Sequence, residues 1–232
     1  MFDRTVAISL DLDDTLWDIG AVINRAEQRT GQWLTDNHGA MAEYLGATSI
    51  GSLRATVVTE HPENAHDFGF VRREIYRRAA IAVGERDSDS VADRALAEFQ
   101  RWRNTVDLFA DVEPALAALA TDRRLIALTN GTADLTVMPI GRFFADSVTA
   151  ADAGVAKPER AIFELAATRL GIKLDTILHV GDDPVLDVDG ARRAGMATVW
   201  VNRNDQTWPD DLPRPTLAVT TLAQLVDALG AD

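Results

Sequence analysis

Four short apolar runs punctuate the chain, and each stops abruptly at polar residues. Thr5–Leu10 ends in Asp11-Leu12-Asp13-Asp14, Leu125–Leu128 ends at Thr129-Asn130-Gly131, Thr176–Val180 ends at Gly181-Asp182-Asp183, and Ala197–Val201 ends at Asn202-Arg203. Such short runs, rich in β-branched residues and too brief for helices, predict strands buried on both faces. Between them, Pro114–Thr121, Pro158–Leu170 and Pro184–Ala194 carry helical spacing, the last closed by Gly195. From about position 110 strand and helix therefore alternate. That alternation predicts a parallel sheet covered on both faces, with ligands bound at the carboxyl ends of its strands, so the polar strand ends should share one rim.

The stretch from Trp17 to Leu108 has a different rhythm. It offers helical patterns over Ile19–Leu34, Phe70–Val83 and Val91–Trp102 but no buried strand, with breaks at Gly39, His61-Pro62 and Gly84–Ser90. It reads as a helical insert after the first strand. Beyond the core, Trp208–Pro215 reads as a loop, Leu217–Val219 as a last short strand, and a helix closes the chain. The expected fold is α/β: a Rossmann-like three-layer core with a central parallel sheet (1–16 and 109–232) and an inserted helical bundle (17–108). The crossings near Trp17 and Phe109 are the expected hinges.

Composition narrows the partners. At 232 residues, 47% hydrophobic and 25% charged, the chain is an ordinary folded protein. Its net charge of −13 opposes nucleic acid or an anionic membrane as partner. No apolar window is long enough to span a bilayer, and acids interrupt the first residues where a secretory signal needs a clean apolar stretch, so a cytoplasmic location is expected. Without cysteine, the chemistry must use oxygen and nitrogen groups. No heptad pattern or apolar stripe marks an interface, which leaves monomer or homodimer open.

The strand ends carry the candidate chemistry. Asp11 and Asp13 stand two positions apart, so the strand period points both carboxylates to one side. Two anions that close call for a hard divalent ion or a shared proton; the plainer reading is an acidic turn in which Asp14 or Thr15 caps the next helix. Asp182 would share the rim with Asp11, and Asp187 lies one helical turn further on, while Asp183 suits the cap of the helix opened by Pro184. Thr129, Asn130 and Gly131 offer a hydroxyl and backbone N–H groups for an anion, or an ordinary turn. Among 23 basic residues only Lys157 and Lys173 are lysine. Lys157, before a helix, is therefore a candidate ammonium donor to a phosphate oxygen. Trp17 could stack on a substrate ring or pack at a hinge. Arg72, Arg73, Arg77 and Arg78 could grip a second charged group, but a solvated face with Glu74 paired to Arg78 is the simpler reading. His179, inside an apolar strand, reads as a buried structural histidine.

The order and spacing of these elements resemble the haloacid dehalogenase-like hydrolase superfamily over the whole chain. Its first motif, aspartate-x-aspartate-x-threonine, corresponds to Asp11, Asp13 and Thr15; its second to Thr129; its third to Lys157; its fourth to Asp182 and Asp187. The insert resembles the helical C1 cap of subfamily I. The resemblance implies a Mg²⁺-dependent phosphatase acting on a small phosphorylated metabolite. Asp11 would be the nucleophile and Asp13 the acid and base, with Thr129 and Lys157 stabilising charge. Asn130, Gly131 and Trp17 would contact substrate, and Asp11, Asp13 through its backbone carbonyl, Asp182 and Asp187 would serve the metal. A phosphomutase shares the whole apparatus. A 2-haloacid dehalogenase of the same superfamily would lack the acid at Asp13, and a non-catalytic ligand-binding relative would not need all the acids present here.

Overall fold

The computed structural model describes residues 4–230, so the outer bounds of the expected core, 1–3 and 231–232, lie outside the described residues. Six strands form one parallel sheet: β1 (Ala7–Leu10), β2 (Arg124–Thr129), β3 (Phe144–Thr149), β4 (Ile177–Gly181), β5 (Ala197–Val201) and β6 (Leu217–Val219). Their order is β3-β2-β1-β4-β5-β6. The first strand is thus central: Leu10 pairs with Ala127 of β2 on one side and Val180 of β4 on the other. All four residues of β1 are buried, as the uninterrupted apolar run requires. β3 was not foreseen. Its sequence, FADSVT, has only one fully buried residue and pairs with β2 through a register irregularity, so an edge strand leaves little apolar signal.

Backbone contacts divide the chain into two compact units, Met1–Ile19 with Asp107–Asp232, and Gly20–Val106. The second unit is helical: α1 (Ile19–Asn37), which begins at the junction, α2 (Gly39–Ala47), α3 (Ile50–Glu60), α4 (Phe68–Ala82) and α5 (Ser88–Arg103). Leu34, Met41, Tyr76, Ala79, Val91 and Ala95 form its main core. The arginine run on α4 is neutralised within this unit. Arg73 pairs with Asp89 and Asp93, while Arg77 and Arg78 converge on the buried Glu74. Hydrogen bonding from Arg77, helped by Arg78 against the cost of burial, holds the Glu74 carboxyl down to about 2. Arg72 lies over the Phe99 ring at 3.6 Å. The run is a paired surface, as the simpler reading held.

In the first unit the remaining helices are α6 (Val112–Asp122), α7 (Ala150–Ala153), α8 (Arg160–Leu170), α9 (Gly190–Ala194) and α10 (Leu222–Gly230). Ile162, Phe163, Ala166 and Leu170 of α8 pack with Ala191 of α9 against Ala7, Ile126, Leu128 and Ile177 of the sheet. α6 and α10 pack on each other and against β2 and β6. The expected single helix from Pro184 to Ala194 is in fact two pieces, a π-helical turn over Pro184–Asp189 followed by α9. Pro184 and the Asp183 cap fix its start, and Gly195 at φ +100° ends it.

Candidate active site

Asp11 is the first residue past the central strand. Its N–H donates to the Val180 carbonyl at 2.9 Å, extending the ladder by one residue and locking the acid to the end of β4. Its side chain is 6% exposed, so its charge needs a partner. Lys157 supplies one: Nζ donates to Asp11 Oδ1 at 2.5 Å and to Asp187 Oδ1 at 2.6 Å. This explains the lysine in an arginine-rich chain. A compact ammonium can sit between two carboxylates where a planar guanidinium would demand a wider fork.

Burial works against the lysine's charge, but Asp11 and Asp187 outweigh it and push its pKa above the ordinary value, so Lys157 is a fixed cation. The two carboxylates do not share it equally. Burial would raise Asp187, but Lys157 and the His179 N–H overcome this and hold it well below the usual range. Among the described residues Asp11 has no such second side-chain donor. Its burial exceeds the help from Lys157 and leaves its carboxyl well above the usual range.

Asp182, at the end of β4, completes the group. One oxygen each of Asp11, Asp182 and Asp187 lies within 4.8 Å of the others. Burial, then repulsion from Asp187 and Asp14, pushes the Asp182 carboxyl up to about 7. Thr15 Oγ1 donates to Asp182 Oδ1 at 3.2 Å, and Trp200 Nε1 donates to its backbone carbonyl at 2.7 Å. Three hard oxygen donors this close, two of them electrostatically strained, fit a hard divalent cation. The Asp13 carboxylate is not in this trio, in keeping with a metal role expected of its backbone carbonyl instead.

Gly181 makes the geometry possible. A Cβ there would lie 2.3 Å from Asp187 Cγ, so only glycine lets that carboxylate fold back over the strand end. Asp187 also accepts the Asp183 N–H at 3.0 Å. Asp183 itself is a helix cap, accepting from Val185 and Leu186 N–H. At the end of β2, Thr129 is buried and its Oγ1 accepts the Gly131 N–H at 2.9 Å, while Asn130 pairs through its amide with the Lys157 peptide N–H and C=O at 2.7 and 3.1 Å. Asn130 therefore positions Lys157.

Two residues have roles that their sequence context hid. His179 is wholly buried, but its Nε2 is 3.2 Å from Asp187 Oδ1 and its Nδ1 is 2.8 Å from Ser9 Oγ. The serine hydroxyl donating to Nδ1 leaves the proton on Nε2, facing the carboxylate. Burial, resisted by Asp187, lowers the imidazole's pKa and keeps it neutral. Ser9 and His179 face each other in register across β1 and β4, a pairing that the sequence alone does not give. Trp17 is also fully buried, with no face open for stacking on a ligand. Its Nε1 instead donates to Asp13 Oδ1 at 2.9 Å. Asp14, at φ 58°, caps α1 by accepting from Ile19 N–H.

Comparison with known proteins agrees with this arrangement. The family model for haloacid dehalogenase-like hydrolases matches residues 5–195. The 5-amino-6-(5-phospho-D-ribitylamino)uracil phosphatase YigB of Escherichia coli (strain K12) is 32% identical over 232 residues, covering 97% of each chain. Phosphoserine phosphatase of Thermus thermophilus is 31% identical over 170 residues, covering 70% of this chain and 67% of that protein. Among solved structures, a 2-haloacid dehalogenase from Pseudomonas syringae pv. tomato DC3000 superposes with a TM-score of 0.91 at 30% identity, covering 98% of this chain and 99% of the other. With the polar strand ends assembled round one buried aspartate and the match spanning most of its length, the chain belongs to the haloacid dehalogenase-like hydrolase family.

Proposed function

We propose that this protein is a Mg²⁺-dependent phosphatase that hydrolyses a small phosphomonoester through an aspartyl-phosphate on Asp11. The observation that carries the reading is the buried Asp11 at the end of the central strand, held 2.5 Å from Lys157 Nζ and grouped with Asp182 and Asp187. Asp11, Asp182 and Asp187 would hold the ion, which when bound supplies positive charge against the phosphate oxygens.

In the first step an Asp11 carboxylate oxygen forms a bond to phosphorus as the ester P–O bond breaks. The leaving oxygen takes the proton of Asp13. In the second step Asp13, now a carboxylate, removes a proton from water, the water oxygen bonds to phosphorus, and the Asp11–phosphorus bond breaks to release phosphate. Lys157, the Thr129 hydroxyl and the N–H groups after it would stabilise the equatorial oxygens, where most catalysis of phosphoryl transfer resides.

Asp13 also favours this reading over dehalogenation, which has no leaving group to protonate and needs no acid at that position. The relative that spans 97% of the chain makes a phosphorylated ribitylaminopyrimidine the first compound to assay, within a screen of sugar phosphates and nucleoside monophosphates. Phosphate release that depends on Mg²⁺, stops with EDTA and is lost in Asp11→Asn is the expected result. Full turnover by Asp11→Asn would remove the nucleophile, and halide release from a haloacid without added magnesium would favour the dehalogenase reading.

A further inference from the structure

We propose that Trp17 is a positioning residue for Asp13: its indole N–H engages one carboxyl oxygen and fixes the orientation in which that side chain meets the leaving oxygen. The inference rests on the hydrolase reading above, in which Asp13 protonates the leaving oxygen.

The indole nitrogen is a donor with no acceptor capacity. With Nε1 2.9 Å from Asp13 Oδ1, that oxygen must accept. Oδ1 is thereby committed to the indole, which fixes the plane of the carboxyl that, in the hydrolase reading, hands its proton to the ester oxygen. Once that proton has gone to the ester oxygen, the same N–H becomes a charge-assisted bond to the anion and holds the carboxylate in place for the water of the second step.

The indole is itself fixed. Asp14 N–H donates to the Trp17 carbonyl at 2.8 Å and Leu16 N–H to the Leu12 carbonyl at 2.8 Å, closing a tight loop that returns Trp17 onto Asp13 four residues back. Arg203 ties that loop from outside. Its Nε donates to the Thr15 carbonyl at 2.8 Å, and its two terminal nitrogens clamp Asp111 at 3.0 and 3.1 Å. Phe109 N–H donates to the Leu16 carbonyl at 3.1 Å. With the ring fully buried, the donor has one direction in which to point.

The chemistry separates this role from packing. An alkyl phosphate expels a poor leaving oxygen and needs the proton, whereas p-nitrophenyl phosphate expels a stable phenolate and hardly needs it. First-turnover rates of alcohol release from an alkyl phosphate and of nitrophenolate release should be compared for the unaltered enzyme and Trp17→Phe. We expect the alkyl ester to lose roughly 10- to 100-fold, at or below the low end of the roughly 10²- to 10⁴-fold typical of general acid catalysis because Asp13 itself is kept, and the nitrophenyl ester to lose less than about threefold. A nitrophenolate burst should then precede a slowed steady state, because the second step still calls on Asp13.

Should the phenylalanine variant fail to fold, site-specific replacement of Trp17 by 3-benzothienylalanine keeps the ring's shape and removes only the N–H. Equal losses on both esters, or no loss on either, would overturn the positioning role while leaving the hydrolase intact. If the unaltered enzyme releases neither alcohol nor nitrophenolate with Mg²⁺ present, the hydrolase reading itself fails and this inference falls with it.

Discussion

Asp182→Asn should stabilise the metal-free protein, and the gain should depend on pH in a defined way. The carboxyl is raised from 3.8 to about 7 by burial and by Asp187 and Asp14. At about 1.4 kcal/mol per tenfold change in protonation, that is a ceiling of roughly 4 kcal/mol against the charged form. Below about pH 4 the group is neutral in folded and unfolded chains alike, and the cost vanishes. As pH rises through the window from about 4 to 7, the unfolded chain loses this proton while the folded chain keeps it, so stability falls. Above about 7 the loss is complete. Asparagine is neutral throughout, keeps an oxygen for Thr15 Oγ1, and leaves the Trp200 bond to the backbone carbonyl untouched. Its advantage should therefore grow from nothing near pH 4 to about 2–4 kcal/mol at pH 8. For a chain of this size that is roughly 5–15 °C in melting temperature. Thermal unfolding in EDTA across pH 4–8 measures it. A variant no more stable than the parent at pH 8, or a gain independent of pH, would refute the electrostatic reasoning. If the proposed Mg²⁺ site is correct, saturating Mg²⁺ should narrow or reverse the order, because the parent alone would keep all three carboxylates and gain about 2.7 kcal/mol at a hundredfold excess over Kd.

The opposite perturbation is Lys157→Met, which leaves Asp11 and Asp187 buried without their shared cation. About 3–5 kcal/mol should be lost at neutral pH by urea unfolding, together with phosphatase turnover. Gly181→Ala should drive the Asp187 carboxylate off the strand end, because the new Cβ would meet Cγ at 2.3 Å. A fall in Mg²⁺ affinity by calorimetry, of roughly tenfold or more, is expected alongside a loss of stability of about 1–3 kcal/mol.

The fold was legible wherever apolar runs were long and buried. β1, β2, β4, β5 and β6 were all located from the sequence to within two residues at each end, because a strand covered on both faces shows little but apolar side chains. β3 was lost because half-covered edge residues such as Asp146 and Ser147 look like loop. The site was legible as far as residue types reveal chemistry: the acids and the lone active-region lysine stand out at strand ends. What stayed hidden was pairing across sequence distance. Nothing near His179 says that Ser9, 170 positions away, will fix its tautomer. For Trp17 the sequence leaves stacking on a ligand and packing at a hinge equally open; its full burial agrees with packing, and its N–H bond to Asp13 was legible in neither.

The central place of β1 has a consequence for how the enzyme comes into being. Its two neighbours in the sheet are supplied by residues 124–129 and 177–181, so a ribosome must deliver three quarters of the polypeptide before Asp11 has a strand on each flank. Lys157 is delivered shortly before that point, and the companion carboxylates Asp182 and Asp187 only just after it. Catalytic competence is therefore a late event in synthesis, and the slow pairing of distant strands, not local helix formation, should set the pace at which newly made molecules become active.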